Sequence, residues 1–88
     1  MATQKTINIT EDWQSLNTLS GATIGAKIDV QVIAGRDVRV ATSDTIPTSD
    51  DHGFKFYAGK FFRSETGAKE CWVRASVDGV LGTLEVSY

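Results

Sequence analysis

The densest group of side chains able to do chemistry lies between Ser43 and Gly53. Asp44, Asp50 and Asp51 there precede the only histidine of the chain, His52. Carboxylates and imidazole ligate divalent cations, and a carboxylate near an imidazole can move protons. The spacing favours neither chemistry. One histidine offers no second pair of ligands at metal-binding spacing, and nothing places the acids in a dry cleft that would shift their pKa values. A solvated loop is the expectation. Cys71, between Glu70 and Trp72, is the only thiol. A nucleophilic cysteine needs a base and an electropositive setting. Its place inside a predicted strand makes it a small core side chain instead. The eight glycines form no phosphate-cradling pattern and fall mostly at predicted turns. The residues therefore predict no enzyme, no cofactor and no metal.

Binding chemistry is better represented. Arg63 and Arg74 stand beside the aromatics Phe62 and Trp72. A basic, aromatic sheet face can stack single-stranded nucleic acid, but the net charge is −2 and no two Lys or Arg residues are adjacent. Arginine beside an aromatic ring more commonly packs on it or joins a protein interface. No nucleic-acid partner is expected. Trp13, Tyr57 and Trp72 could instead stack on sugar rings if exposed.

The elements that must position these residues are short strands. Hydrophobic residues make up 41% of the chain and charged residues 23%, within the globular range. Eighty-eight residues allow one domain, read as 1–88 with residues 1–5 as a flexible or arm-like N-terminus. No apolar run reaches a membrane span, and Met1–Lys5 lacks a signal peptide's apolar centre. The chain is expected to be made in a cytoplasm and to stay soluble. A domain of this size buries only about 60–65% of its unfolded surface, and one cysteine excludes an internal disulfide. Oligomerisation or docking on a larger body is the expected source of further stability.

Thr6–Thr10 alternates polar and apolar, with Ile7 and Ile9 on one face. Thr10 could cap a short helix with Glu11 and Asp12 in its first turn. Gln14–Leu19 reads as one turn or a loop pinned by Trp13, Leu16 and Leu19. Ile28, Val30 and Val32 mark a half-buried strand, predicted to form a hairpin with Val38–Val40. The further strands are Arg36–Thr42, Phe54–Tyr57, Phe61–Ser64, Lys69–Ser76 and Val80–Ser87. Asp78-Gly79 is a strong type I′ signal joining the last two, and Gly82 suggests a bulge. The predicted class is all-β: a small antiparallel sandwich or barrel of about seven strands. Its core is read as Ile7, Ile9, Ile28, Val30, Val32, Val38, Val40, Phe54, Phe56, Val73, Leu84 and Val86. If Phe56 and Phe61 point inward, Tyr57 and Phe62 point outward, onto either a contact surface or a second covered face.

A longer pattern adds to this reading. Trp13-x-x-Leu16-x-x-Leu19-x-Gly21 is followed by Ile24-Gly25 and Ile28-x-Val30-Gln31, then Val38-x-Val40, Ile46-Pro47-x-x-x-Asp51-x-Gly53 and Gly59 before Phe61. Cys71-Trp72-Val73-Arg74-Ala75 and Gly82-x-Leu84-x-Val86 close it. From Thr6 to Val86 the chain resembles small virion structural proteins of tailed bacteriophages. The resemblance implies a virion location and a strand-rich domain acting by assembly. The first expectation is a capsid decoration or cement protein, a small homo-oligomer such as a trimer, bound to the major capsid or other virion proteins. A neck or tail component and a host-glycan binding module are the alternatives. The interface residues read from the sequence are Tyr57, Phe62, Arg63 and Trp13, with Asp44, Asp51 and His52 on a second surface.

Overall fold

A computed structural model describes residues 4–34, 37–48, 53–64, 69–75 and 82–88. Eight strands and one short helix follow one another along it. They are β1 (Gln4–Ile9), β2 (Gln14–Ser15), α1 (Leu16–Ser20), β3 (Ile28–Ala34), β4 (Val38–Ser43), β5 (Phe54–Phe56), β6 (Phe61–Ser64), β7 (Glu70–Ala75) and β8 (Gly82–Ser87). They form two four-stranded sheets, ordered β1-β8-β3-β6 and β2-β7-β4-β5, with every pairing antiparallel. The class expected from alternation is observed, as a sandwich.

The pairings nest. β1 lies beside β8, β2 beside β7, β3 beside β6 and β4 beside β5. The chain is in effect one long hairpin whose two arms are rolled together, so that β8 also meets β3 and β7 also meets β4. This is the connectivity of a jelly roll, eight strands in two sheets. Only the β4–β5 connection stays within one sheet; the other connections between consecutive strands cross from one sheet to the other.

Inward-facing side chains of the two sheets interleave to make the core. Ile9, Leu16, Ile28, Val30, Val32, Val38, Val73, Leu84 and Val86 have no accessible surface. Alternation along the strands produces this pattern: β7 and β8 bury every second residue, and the intervening ones are half-buried. On the outer face of the first sheet, Glu85 accepts hydrogen bonds from Thr6 Oγ1 and from Gln4 Nε2, at 2.5 and 2.7 Å. These bonds hold its carboxyl below the usual range.

Helix α1 is too short to persist alone and is fixed at both ends. Ser15 caps it, its hydroxyl accepting from the Thr18 N–H at 3.1 Å. Gly21, at φ 86°, closes it with its N–H on the Asn17 carbonyl at 2.8 Å. Buried Leu16 then ties the turn to the core.

Several sequence-based expectations are corrected. Strands β3 and β4 do not form a hairpin, because they belong to different sheets; β3 lies between β8 and β6. Nor do β7 and β8 pair, although Asp78-Gly79, outside the described residues, is a turn signal between them. Thr10 does not cap a helix. Its hydroxyl accepts from the Asp12 N–H in a local turn, and α1 begins at Leu16. Gln4 and Lys5 are not an arm: they pair with Ser87 and Val86 inside β1. Phe54 is not core, being 75% exposed on the short edge strand β5. The bulge falls in β3, where Val32 faces Leu84 and Ala34 faces Thr83, leaving Ile33 as the extra residue. Gly82 instead admits a neighbour: a Cβ there would come within 2.9 Å of Ile9 Cγ1.

Candidate functional site

Edge strands β5 and β6 close one side of the sandwich, each at the end of its own sheet. The turn between them is held by the Lys60 N–H on the Tyr57 carbonyl (3.1 Å), and it docks on β3 through Gly59 N–H to Val32 O and Val32 N–H to Lys60 O. Phe56 from β5 and Phe62 from β6 meet inside this edge, ring centroids 4.8 Å apart and tilted by 32°. Both are half-buried and pack against the core. Outside it stand Phe54, Phe61 and Tyr57, exposed by 75%, 66% and 53%. The Lys55 ammonium lies 5.6 Å from the centre of the Tyr57 ring. Single exposed apolar residues are ordinary; three aromatics along one edge are not.

The facing of the aromatic pair in β6 therefore differs from the expectation. Phe61 points out and Phe62 points in. Val30 and Phe62 are cross-strand neighbours, and Val30 is wholly buried, so Phe62 must share its face. Tyr57 is exposed as expected. Arg63 is also exposed, and its Nε donates to Asp29 Oδ1 at 2.6 Å. Phe54, read from the sequence as core, and Ile33, which was not singled out, are exposed as well.

Trp13 is corrected from a surface residue to a buried one. Its indole N–H donates to the Thr48 carbonyl at 3.0 Å, and the Arg74 guanidinium lies 5.3 Å from its ring centre. Trp72 is half-buried and donates its indole N–H to the Ser43 carbonyl at 3.1 Å. Two tryptophans thus pin the start of the β4–β5 connection, at Ser43 and at Thr48. Where the chain re-enters β5, Gly53 at φ 66° passes so close to β4 that a Cβ would lie 2.6 Å from the Val40 carbonyl oxygen. Beside this segment Glu11, Asp12, Trp13, Ile46, Pro47 and Arg74 line a shallow, open depression of about 320 Å3. Asp44 is exposed on the segment; Asp51 and His52 lie outside the described residues.

Cys71 is buried in β7 opposite Thr42, its N–H donating to Asn17 Oδ1 at 3.0 Å. Burial pushes its thiol up, against a smaller lowering by the nearby Ser64 hydroxyl. A thiol of that kind is a packing group. Cys71 is expected to resist Ellman's reagent in the native protein and to react at the rate of a free thiol in denaturant. Fast native labelling would contradict its burial. Among the described residues no three His, Cys, Asp or Glu side chains are grouped to hold a metal ion, and no helix is long and apolar enough to cross a membrane. Comparison of the chain with protein-family models, with curated proteins and with solved structures finds no match.

Proposed function

We propose that this chain is a non-enzymatic structural protein of a tailed-bacteriophage virion, acting as a capsid decoration or cement protein. It works by docking the β5–β6 edge on neighbouring protein. The observation that supports this most directly is the exposure of Phe54, Tyr57 and Phe61 along two adjoining edge strands. Such an edge offers apolar area and backbone hydrogen-bonding groups together, the combination that adds a strand or buries a seam. The sequence resemblance carries the virion part of the proposal. Jelly-roll sandwiches also occur in viral capsid domains, which is support by fold analogy alone. Repetition on a lattice would make weak contacts persist through avidity.

The deciding experiment is quantification of this chain in purified particles, together with its binding to empty heads. A head decoration is expected in roughly hundreds of copies, and a neck or tail ring in about a dozen, as closed rings suggest. Absence from particles and no binding to heads would refute the reading. The glycan alternative loses two of its three stacking candidates, since Trp13 is buried and Trp72 half-buried with its N–H engaged.

A further inference from the structure

We infer that the outer face of the first sheet binds a neutral oligosaccharide along the row Thr6, Glu85, Gln31 and Phe61. This goes beyond the docking role proposed above, with which it shares one side chain, Phe61.

Strand register builds the row. Thr6 lies opposite Glu85, Glu85 opposite Gln31, and Gln31 opposite Phe61. Residues directly opposite one another share a face of the sheet. Glu85 alternates with wholly buried Leu84 and Val86, so this face is the solvent side. Three interstrand spacings make the row about 14 Å long, the reach of a short oligosaccharide.

The row runs from fixed polar groups to a bare ring. Thr6 Oγ1 and Gln4 Nε2 donate to the two carboxylate oxygens of Glu85 at 2.5 and 2.7 Å, and each oxygen keeps a further acceptor position. The half-buried Gln31 amide has no hydrogen-bond partner among the described residues and offers two donors and an acceptor. Phe61, 66% exposed, ends the row with an apolar plane. Next to the row Thr83 Oγ1 donates to Asn8 Oδ1 at 3.2 Å, orienting a second amide. A pyranose ring matches this sequence of groups: its C–H face lies flat on an aromatic ring, and its edge carries hydroxyls that both donate and accept. Groups held in place before binding lose little freedom when the ligand arrives.

Charge and area separate this ligand from others. Asp29 and Glu85 put two carboxylates on the face, and Arg63, its one cation among the described residues, donates to Asp29 at 2.6 Å. Phosphate backbones and acidic polysaccharides meet repulsion there. A protein partner meets too little apolar surface. At about 150–250 Å2 for an aromatic side chain, the exposed part of Phe61 is roughly 100–165 Å2. Ile33, half-exposed at the bulge, at most doubles that. A standard interface takes about 450 Å2 of apolar area from each partner.

Titration of the isotope-labelled protein with maltohexaose, cellohexaose and chitohexaose, followed by amide NMR, tests this. At least one of the three is expected to shift the Gln31 side-chain amide and the backbone amides of Glu85 and Phe61 saturably. Hexagalacturonate, the acidic control, is expected to shift none of them. Gln31→Ala and Phe61→Ala should each weaken the binding by about fivefold or more, the loss of one hydrogen bond or one stacking contact, while far-UV circular dichroism stays native. If Phe61→Ala loses that spectrum, Gln31→Ala decides alone. No shift with any of the three sugars, shifts centred on Tyr57 instead, or an affinity indifferent to both substitutions overturns the site. Tighter binding of hexagalacturonate overturns the assignment of a neutral ligand. Binding to empty heads, measured in parallel, is expected to be unchanged in Gln31→Ala, because Gln31 lies outside the β5–β6 edge; its loss there would make this face a protein contact and overturn the inference. A protein that binds heads but no sugar keeps the docking role and loses only this site.

Discussion

Leu84→Ala is expected to destabilise the domain by about 2–5 kcal/mol. Leu84 has no accessible surface and sits in β8, between Ile7 of β1 and Val32 of β3. A strand flanked on both sides cannot relax into the space that truncation leaves, so the cavity cost adds to the lost transfer energy. A domain of this size has total stability of only about 4–13 kcal/mol, and each kcal/mol moves the thermal midpoint by about 4–8 °C. Thermal unfolding followed by circular dichroism should show a fall in Tm of at least about 10 °C. Phe54→Ala is the companion measurement. Phe54 alternates with Phe56 and reads as core, yet it is largely exposed, and its loss should change stability by no more than about 0.5 kcal/mol. Equal destabilisation by the two substitutions would mean that β5 packs more deeply than described.

That contrast shows what kind of information the chain carries locally. Ile28-x-Val30-x-Val32 and Val73, Leu84 and Val86 are legible as inward residues because period-two alternation needs no knowledge of the partner strand. Partner choice is not local. Ile28–Val32 and Val38–Val40 are separated by a short turn segment and invite a hairpin, but the jelly roll sends them to opposite sheets and gives β3 the distant β8. Asp78-Gly79, outside the described residues, is a turn signal in the sequence, and such a signal does not say that the flanking strands pair. The sides of the nested hairpin are matched across most of the chain, down to the contact of Gln4 with Glu85, and no window of ten residues contains both members.

The candidate edge was legible in composition and illegible in phase. Phe61-Phe62 places two aromatics in succession, so alternation guarantees that one faces out without saying which. The choice is made across the sandwich, where Phe62 finds Phe56 and shares a face with Val30. Trp13 failed as a surface residue for a related reason. Its neighbours Glu11 and Asp12 are exposed, but its indole meets the Thr48 carbonyl and the Arg74 guanidinium, both far away in sequence. The exposed edge and the pinned β4–β5 connection are thus products of long-range packing acting on side chains whose types were visible from the start.

Gly53→Ala is expected to be more damaging than Gly59→Ala, and the surroundings of the two glycines say why. Both residues have positive φ, 66° and 90°, which alone costs an alanine roughly 1–2 kcal/mol. At Gly59 a Cβ meets nothing within 4 Å, so that cost is the whole effect. At Gly53 it would lie 2.6 Å from the Val40 carbonyl oxygen and 3.0 Å from Trp13 Cη2. Backbone cannot swing aside as a flexible side chain can. Relief requires β5 to move off β4, which loosens the pairing of Val40 with Phe54 and pushes on the indole that anchors Thr48. The expected loss is about 2–4 kcal/mol, the conformational cost plus strain of similar size. Urea unfolding of the two variants, with tryptophan fluorescence as one probe and far-UV circular dichroism as another, should show Gly53→Ala less stable than Gly59→Ala by at least about 1 kcal/mol. A native fluorescence spectrum altered only in Gly53→Ala would show that the disturbance reaches the tryptophans that anchor this connection. Equal midpoints for the two would mean that positive φ, rather than the close approach of β4, is what glycine supplies at position 53.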